Sequence, residues 1–244
     1  MPDRQTISYT VTMIYFAHRG AHMQTVENTV SAFTLARQQG AVCYELDVHL
    51  LADGQLVVYH DYTLVSAEGE SVALAKLSSA DLKKYPLCGH IGTVAEQIPL
   101  LGDILLTVTD RLELLNIEIK NDGNRYPQIE RVLLDFLKCY PALSSKILFS
   151  SFDFETLVRL RRLDKNARIG LLTRAFDVSQ ALAVSAESVH IGLSRATKEI
   201  TDTCHAHGLK LYVYTVNDAQ TVQQLSLWGV DGIFTDRIEN FVAL

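Results

Sequence analysis

The chain has 244 residues, 48% of them hydrophobic and 20% charged, with 22 Lys and Arg against 28 Asp and Glu for a net charge of −6. That is ordinary globular composition on a chain long enough to bury a large core, and the acidic balance excludes a general nucleic-acid or anionic-membrane surface, which needs a basic face. The four cysteines (Cys43, Cys88, Cys139, Cys204) lack metal-ligand spacing and no apolar run reaches membrane-spanning length, so a cytoplasmic protein with reduced thiols and no stable membrane anchoring is expected.

In chain order, strand candidates lie near residues 12–17, 42–47, 56–60, 114–119, 146–150, 168–172, 188–191, 210–215 and 231–235. Amphipathic helical stretches fall between them, at 27–39, 100–108, 126–140, 154–163, 197–207 and 218–227. Alternation of this kind predicts a parallel sheet wrapped by helices. The segment 56–60 follows its predecessor through the tight turn Asp53-Gly54, with no crossover helix, so it must run antiparallel and cannot be a barrel stave. Eight staves remain, and the prediction is a (β/α)8 TIM barrel over residues 1–244 as a single domain. Residues 48 to about 98 form an insertion after the second strand, containing a β-hairpin and a capped turn at Ser78-Ser79-Ala80-Asp81-Leu82. Asn28 and Thr29 are cap-type residues ahead of the apolar positions Val30, Phe33 and Leu35. Residues 6–12 either extend strand one or precede a start of translation at Met13.

The hairpin carries the first chemical signal. A two-residue Asp53-Gly54 turn of type I′ pairs Ala52 with Gln55 and therefore Asp47 with His60, with Glu45 on the same face. The third barrel strand, Leu115-Asn116-Ile117-Glu118-Ile119-Lys120, puts Glu118 and Lys120 on the face opposite its isoleucines, inside the barrel mouth. Glu45, Asp47 and Glu118 then converge at one rim, where mutual repulsion calls for a cation. Oxygen donors without cysteine favour one hard divalent ion, Mg²⁺ or Ca²⁺. His18 at the end of strand one and His60 on the hairpin are candidates for the two proton transfers of ester hydrolysis. Arg19 and Lys120 supply local positive charge for a phosphodiester. The other histidines, including His22, His49 and His190, are expected to be structural or solvent-exposed.

Together these residues resemble the glycerophosphodiester phosphodiesterase family across nearly the whole chain. The matching pieces include His18-Arg19-Gly20-Ala21, Glu27-Asn28-Thr29, Glu45-Leu46-Asp47-Val48, Asp53-Gly54, His60-Asp61, Ile117-Glu118-Ile119-Lys120, Ser151-Phe152, Tyr214-Thr215-Val216-Asn217 and Gly229 to Asp236. The resemblance implies hydrolysis of small-molecule glycerophosphodiesters to sn-glycerol 3-phosphate and an alcohol, by a monomer or small homo-oligomer. It carries over His18 and His60 as the acid/base pair, Glu45, Asp47 and Glu118 as metal ligands, and Arg19 and Lys120 as phosphate contacts. Phe152 and Tyr214 become either apolar walls of the substrate cleft or barrel packing, and Glu27 a partner that orients Arg19. Val26, Tyr214 and the segment Tyr62 to Ser66 depart from the family's usual residues, which bears on substrate preference. The alternatives are a phospholipase D-like or phosphoinositide phospholipase-like lyase on the same barrel, or a catalytically silent glycerophosphodiester-binding protein.

Overall fold

Strand alternation decides what fills the barrel. Phe16, Cys43, Leu114, Leu148, Tyr212 and Phe234, drawn from six strands, pack together as its lower interior layer. The intervening residues, such as Ala17, Tyr44, Leu46, Leu115 and Ile117, face the helices in the main core. In the computed structural model the described residues are 13–66, 69–87, 95–123 and 125–242. The expectation about residues 6–12 and the thiol of Cys88 lie outside them.

The elements run Ile14–His18 (β1), Val30–Gln38 (α1), Cys43–Leu50 (β2), Leu56–Val58 (β3), Thr63–Val65 (β4), Ser71–Ala73 (β5), Leu101–Val108 (α2) and Leu114–Ile119 (β6). They continue Ile129–Leu137 (α3), Ile147–Ser151 (β7), Phe154–Leu163 (α4), Ile169–Thr173 (β8), Val178–Ala183 (α5), Ser188–Gly192 (β9), Lys198–Ala206 (α6), Lys210–Tyr214 (β10), Ala219–Trp228 (α7) and Gly232–Thr235 (β11). The sheet order is β1-β11-β10-β9-β8-β7-β6-β2, and a β1–β2 pairing closes it into an eight-stranded parallel barrel. The expected barrel is therefore present, with β3 outside the ring as expected.

Helix starts follow local chemistry. Thr29 caps α1, its side chain accepting from the backbone of Ala32. Ala32, Phe33 and Ala36 face the core, whereas Val30 is exposed, contrary to its expected place on the apolar stripe. The first loop presses on this helix: Gly20 sits at φ +84°, and a Cβ there would lie 2.7 Å from the Ala32 backbone. Sequence periodicity gives no helix at α5, which has only six residues and is held by the Asp177 cap. The β4–β5 hairpin was not anticipated either; three-residue strands are too short for alternation to register.

The predicted hairpin register is wrong by one residue. Val48 pairs with Val58, His49 with Val57 and Leu50 with Leu56. The connection is the three-residue loop Ala52-Asp53-Gly54, with Gly54 N–H bonded to the Leu51 carbonyl at 3.0 Å and Gly54 at φ +81°. That is a turn followed by a left-handed glycine, the second common solution for Asp-Gly sequences. What holds Asp53 is not a two-residue turn but the insertion: its carboxylate accepts from the Ser79 backbone at 2.8 Å and the Ser79 hydroxyl at 2.7 Å. Those bonds tie the hairpin tip to the 3₁₀ turn Ser79–Lys84, which Asp81 and Ser78 cap as expected. A small second core of Leu51, Val57, Leu64, Leu74, Leu77, Leu82 and Ile98 lies beneath the insertion.

Candidate active site

The correction of register changes how His60 arrives. Asp47 opposes Tyr59, whose N–H donates to the Asp47 carbonyl at 3.1 Å, and not His60. β2 is eight residues long while β1 has five, so β2 borders β1 at residues 43–45 and β3 at residues 48–50 along the same edge. β3 thus descends onto the upper end of β1, where His18 pairs with Glu45 and the Arg19 N–H donates to the Glu45 carbonyl at 3.1 Å. Two residues of β2 cannot accommodate both chains, so the ladder stops at Tyr59 and His60 bends out over the mouth. His49, expected to be an ordinary histidine, fixes that bend. Its Nε2–H donates to the His60 carbonyl at 3.3 Å, and its Nδ1 accepts from the Tyr126 hydroxyl at 2.8 Å. Burial pushes the His49 imidazole down to about 4, so it stays neutral.

A cavity of about 130 Å³ at the C-terminal mouth is lined by His18, Arg19, Glu45, His60, Asn116, Glu118, Lys120, Phe152 and Tyr214, among others. Eight of the nine residues singled out in the sequence therefore line one space. The ninth, Asp47, is fully buried. Register explains the grouping, since parallel pairing sets Glu45 beside Asn116 and Asp47 beside Glu118.

Glu45, Asp47 and Glu118 each offer a carboxylate oxygen within 4.8 Å of the others. Burial, then repulsion from Asp47, raises the Glu45 carboxyl well above the usual carboxylate range. The same two causes push Glu118 up to about 7. Burial also opposes ionisation of Asp47, but the charges of Arg19, Lys120 and His60 and a hydrogen bond from Asn28 outweigh it and hold this carboxyl low. Asp47 Oδ1 is buried without a hydrogen-bond partner. A buried oxygen that accepts no hydrogen bond and has only the Lys120 ammonium near it, at 3.5 Å, inside a cluster of mutually repelling carboxylates is what a hard cation would complete, so these residues fit a divalent ion.

Both histidines share one arrangement. His18 Nδ1 lies 2.7 Å from Asp236 Oδ1, and His60 Nδ1 lies 2.7 Å from Asp61 Oδ1. A carboxylate only accepts, so each Nδ1 carries a proton and each Nε2 is left for chemistry. Burial outweighs the Asp236 carboxylate and lowers His18 below 6.5, which makes it a free base at neutral pH. Asp236 also accepts from His22 at 2.8 Å and from Asn217 at 2.8 Å. His22, too, was expected to be an ordinary histidine.

The cations are braced within the site. Arg19 Nη1 donates to both Glu27 oxygens at 3.0 Å and its Nε sits 3.3 Å from Asp47, leaving Nη2 without a protein partner among the described residues. Glu27 orients Arg19 as expected. Lys120 Nζ donates to Glu118 at 2.9 Å and lies 3.5 Å from Asp47. Phe152 and Tyr214 meet edge to face, with centroids 6.1 Å apart.

Sequence reading assigned no individual role to Asp236, and none beyond a helix cap to Asn28. Asp236 follows β11, which pairs with β1, so closing the barrel brings it beside His18. Asn28 was read as a cap, yet it adopts φ +57° and donates to Asp47 at 2.9 Å. Tolerance of the left-handed region is the only hint the asparagine carries in sequence.

Buried oxygen ligands, paired imidazoles and anion-seeking cations at the mouth of a parallel barrel define a hydrolase acting on phosphate esters. Comparison with known proteins narrows the class. Residues 18–240 match the model of the glycerophosphoryl diester phosphodiesterase family, and the chain belongs to that family. It is an enzyme that hydrolyses glycerophosphodiesters, in a family that depends on a metal. A glycerophosphodiester phosphodiesterase of Caldanaerobacter subterraneus subsp. tengcongensis is 32% identical, over 95% of this chain and 97% of the relative. One from Bacillus altitudinis is 33% identical, over 91% and 93% respectively. Among solved structures, an Oleispira antarctica phosphodiesterase in complex with the product sn-glycerol-3-phosphate superposes with a TM-score of 0.79 at 25% identity, over 95% of this chain and 96% of the other.

Proposed function

We propose that His18 and His60 carry the two proton transfers of glycerophosphodiester hydrolysis, yielding sn-glycerol 3-phosphate and an alcohol. In this reading Glu45, Asp47 and Glu118 hold one divalent ion, Mg²⁺ or Ca²⁺, and Arg19 and Lys120 contact the phosphate. Phe152 and Tyr214 wall the cleft. The observation that carries the reading is the single cavity lined by both histidines, two of the three carboxylates, both cations and both aromatics. The bound ion would polarise a phosphoryl oxygen and neutralise charge developing on it. His18, a free base whose tautomer is set by Asp236, accepts the proton of the attacking oxygen through Nε2. His60, held by Asp61 and by His49 behind its carbonyl, donates to the leaving alkoxide.

The same proposal treats the whole chain as one barrel domain with its insertion at about 48–98. The lining comes from one chain, so a monomer or a small homo-oligomer serves equally. No helix among the described residues is long and apolar enough to cross a membrane, and Cys43, Cys139 and Cys204 are free thiols, which supports a cytoplasmic placement. The test is H18A and H60A assayed on a glycerophosphodiester with Mg²⁺ or Ca²⁺. Each should lose about 10² to 10⁴ in kcat while circular dichroism stays native. Folded variants with near-native turnover would remove both histidines from the mechanism.

A further inference from the structure

One cation at the mouth is not accounted for by the site above. Arg174 follows β8 directly, and so stands at the C-terminal face where the cavity opens. Its guanidinium carbon lies 4.1 Å from the Phe152 ring centroid, a stacked cation–π geometry. The residue is exposed and has no carboxylate or hydrogen-bond partner among the described residues. Its backbone is nonetheless fixed on both sides. Thr173 Oγ1 accepts from the Ala175 N–H at 3.1 Å and donates to the Ala175 carbonyl at 2.7 Å, while the Tyr214 hydroxyl donates to the Thr173 carbonyl at 3.1 Å. A second exposed guanidinium, Arg125, also sits on a ring, 4.4 Å from the centroid of Tyr62, but Tyr62 does not line the cavity. Of these two stacked arginines among the described residues, Arg174 is the one coupled to the cleft through a lining side chain.

The cavity is small. At about 130 Å³ it falls well below the roughly 300 to 1,000 Å³ of sites that enclose a whole drug-sized ligand. A phosphodiester held at Arg19 and Lys120 therefore keeps one ester arm inside and sends the other out over Phe152 and Tyr214. The outgoing arm meets a fixed positive charge that already occupies an aromatic face. A quaternary ammonium needs such a face and is repelled by the guanidinium; an anionic group gains a planar partner whose donors are free.

We propose that Arg174, stacked on Phe152, is a specificity determinant that selects glycerophosphodiesters whose alcohol carries an anionic group and disfavours those whose alcohol carries a quaternary ammonium. This rests on the site reading given above. The chemical class that fits is an alcohol bearing a second phosphate.

The test compares kcat/KM for three substrates differing in the charge of the leaving alcohol: bis(glycerophospho)glycerol, glycerophosphoglycerol and glycerophosphocholine. The unaltered enzyme should favour them in that order. R174A should lower kcat/KM for the anionic substrate about fivefold to tenfold, chiefly through KM, raise it for the choline substrate, and leave the neutral one within about twofold. R174K should restore most of the anionic preference, and R174E should reverse the order. A loss shared equally by all three substrates, or ratios unchanged in R174A, overturns the assignment of Arg174. E118Q is run in parallel: if it retains turnover, the site reading fails and this proposal with it, whereas unchanged R174A ratios beside an inactive E118Q refute Arg174 alone.

Discussion

Replacing Glu118 by Gln should make the metal-free protein more stable while destroying its activity. Without an ion, burial and the nearby Asp47 push the Glu118 carboxyl from 4.5 up to about 7, with the attraction of Lys120 already included. Each pH unit is worth about 1.4 kcal/mol, so at pH 8 ionising Glu118 costs the folded chain about 3 kcal/mol relative to the unfolded one. The sign follows from the raised folded value. Stability is fully present below pH 4.5 and is lost as pH rises through about 7. Glutamine keeps the shape, cannot ionise, and still offers an oxygen to Lys120 Nζ. For a chain of this size, at 2 to 4 °C per kcal/mol, E118Q in excess chelator should melt about 6 to 12 °C above the unaltered protein at pH 8. The gap should close by pH 4.5. Differential scanning calorimetry from pH 4.5 to 8, with chelator and then with Mg²⁺, reads both effects, since the ion should raise the melting temperature of the unaltered protein far more than that of E118Q. Equal melting temperatures at pH 8, or a gap that does not change with pH, would refute the account of the carboxylate cluster.

Metal affinity should weaken as pH falls below about 7, by up to about tenfold per pH unit for each proton displaced, because the raised Glu45 and Glu118 carboxyls must ionise to bind; isothermal titration at pH 6 and 8 that gives one dissociation constant would contradict this. D236N should cut kcat by about 10² or more by releasing the His18 tautomer. It should also move the acid limb of the kcat/KM profile to lower pH, since Asp236 favours the imidazolium; a limb displaced upward would count against His18 as the base. D53A should loosen the insertion by about 1 to 2 kcal/mol through loss of its two bonds to Ser79, visible as faster hydrogen exchange in residues 50–58 and 78–84, with unchanged exchange there arguing that the bonds do not anchor it.

The barrel was legible because its staves are short apolar runs separated by helices of ordinary length, and because one strand could be discarded by the absence of a crossover. Ligand chemistry was legible for the same reason: alternation along β2 and β6 fixes Glu45, Asp47 and Glu118 on the inner face whatever the exact register with β3. The position of His60 was not, since the argument for it ran through a turn type. Asp-Gly supports both a two-residue and a three-residue loop, and the choice between them was made by Asp53 reaching Ser79, 26 residues away, which no local pattern encodes. Asp236 and Asn28 were missed as contacts for a related reason. Each acts across an interval that only closure of the barrel, or a left-handed turn, brings together.

The one-residue error removes cross-strand pairing as the reason for His60 being where it is, and a different physical cause takes its place. Had the hairpin continued in its observed register, alternation would point His60 away from Asp47. The imidazole reaches the cavity because β3 meets the end of β1 head on and has to leave the ladder, and because the buried His49, itself held by the Tyr126 hydroxyl, captures the His60 carbonyl as it does. A histidine in a strand would have its direction fixed by the pleat. One on a bend takes its direction from whatever holds the bend, which makes His49 and Tyr126 positioning residues for the proton donor although neither lines the cavity. The two proton-transfer groups are thus supported by different means: His18 by a stave and the carboxylate of the stave beside it, His60 by a loop pinned from behind.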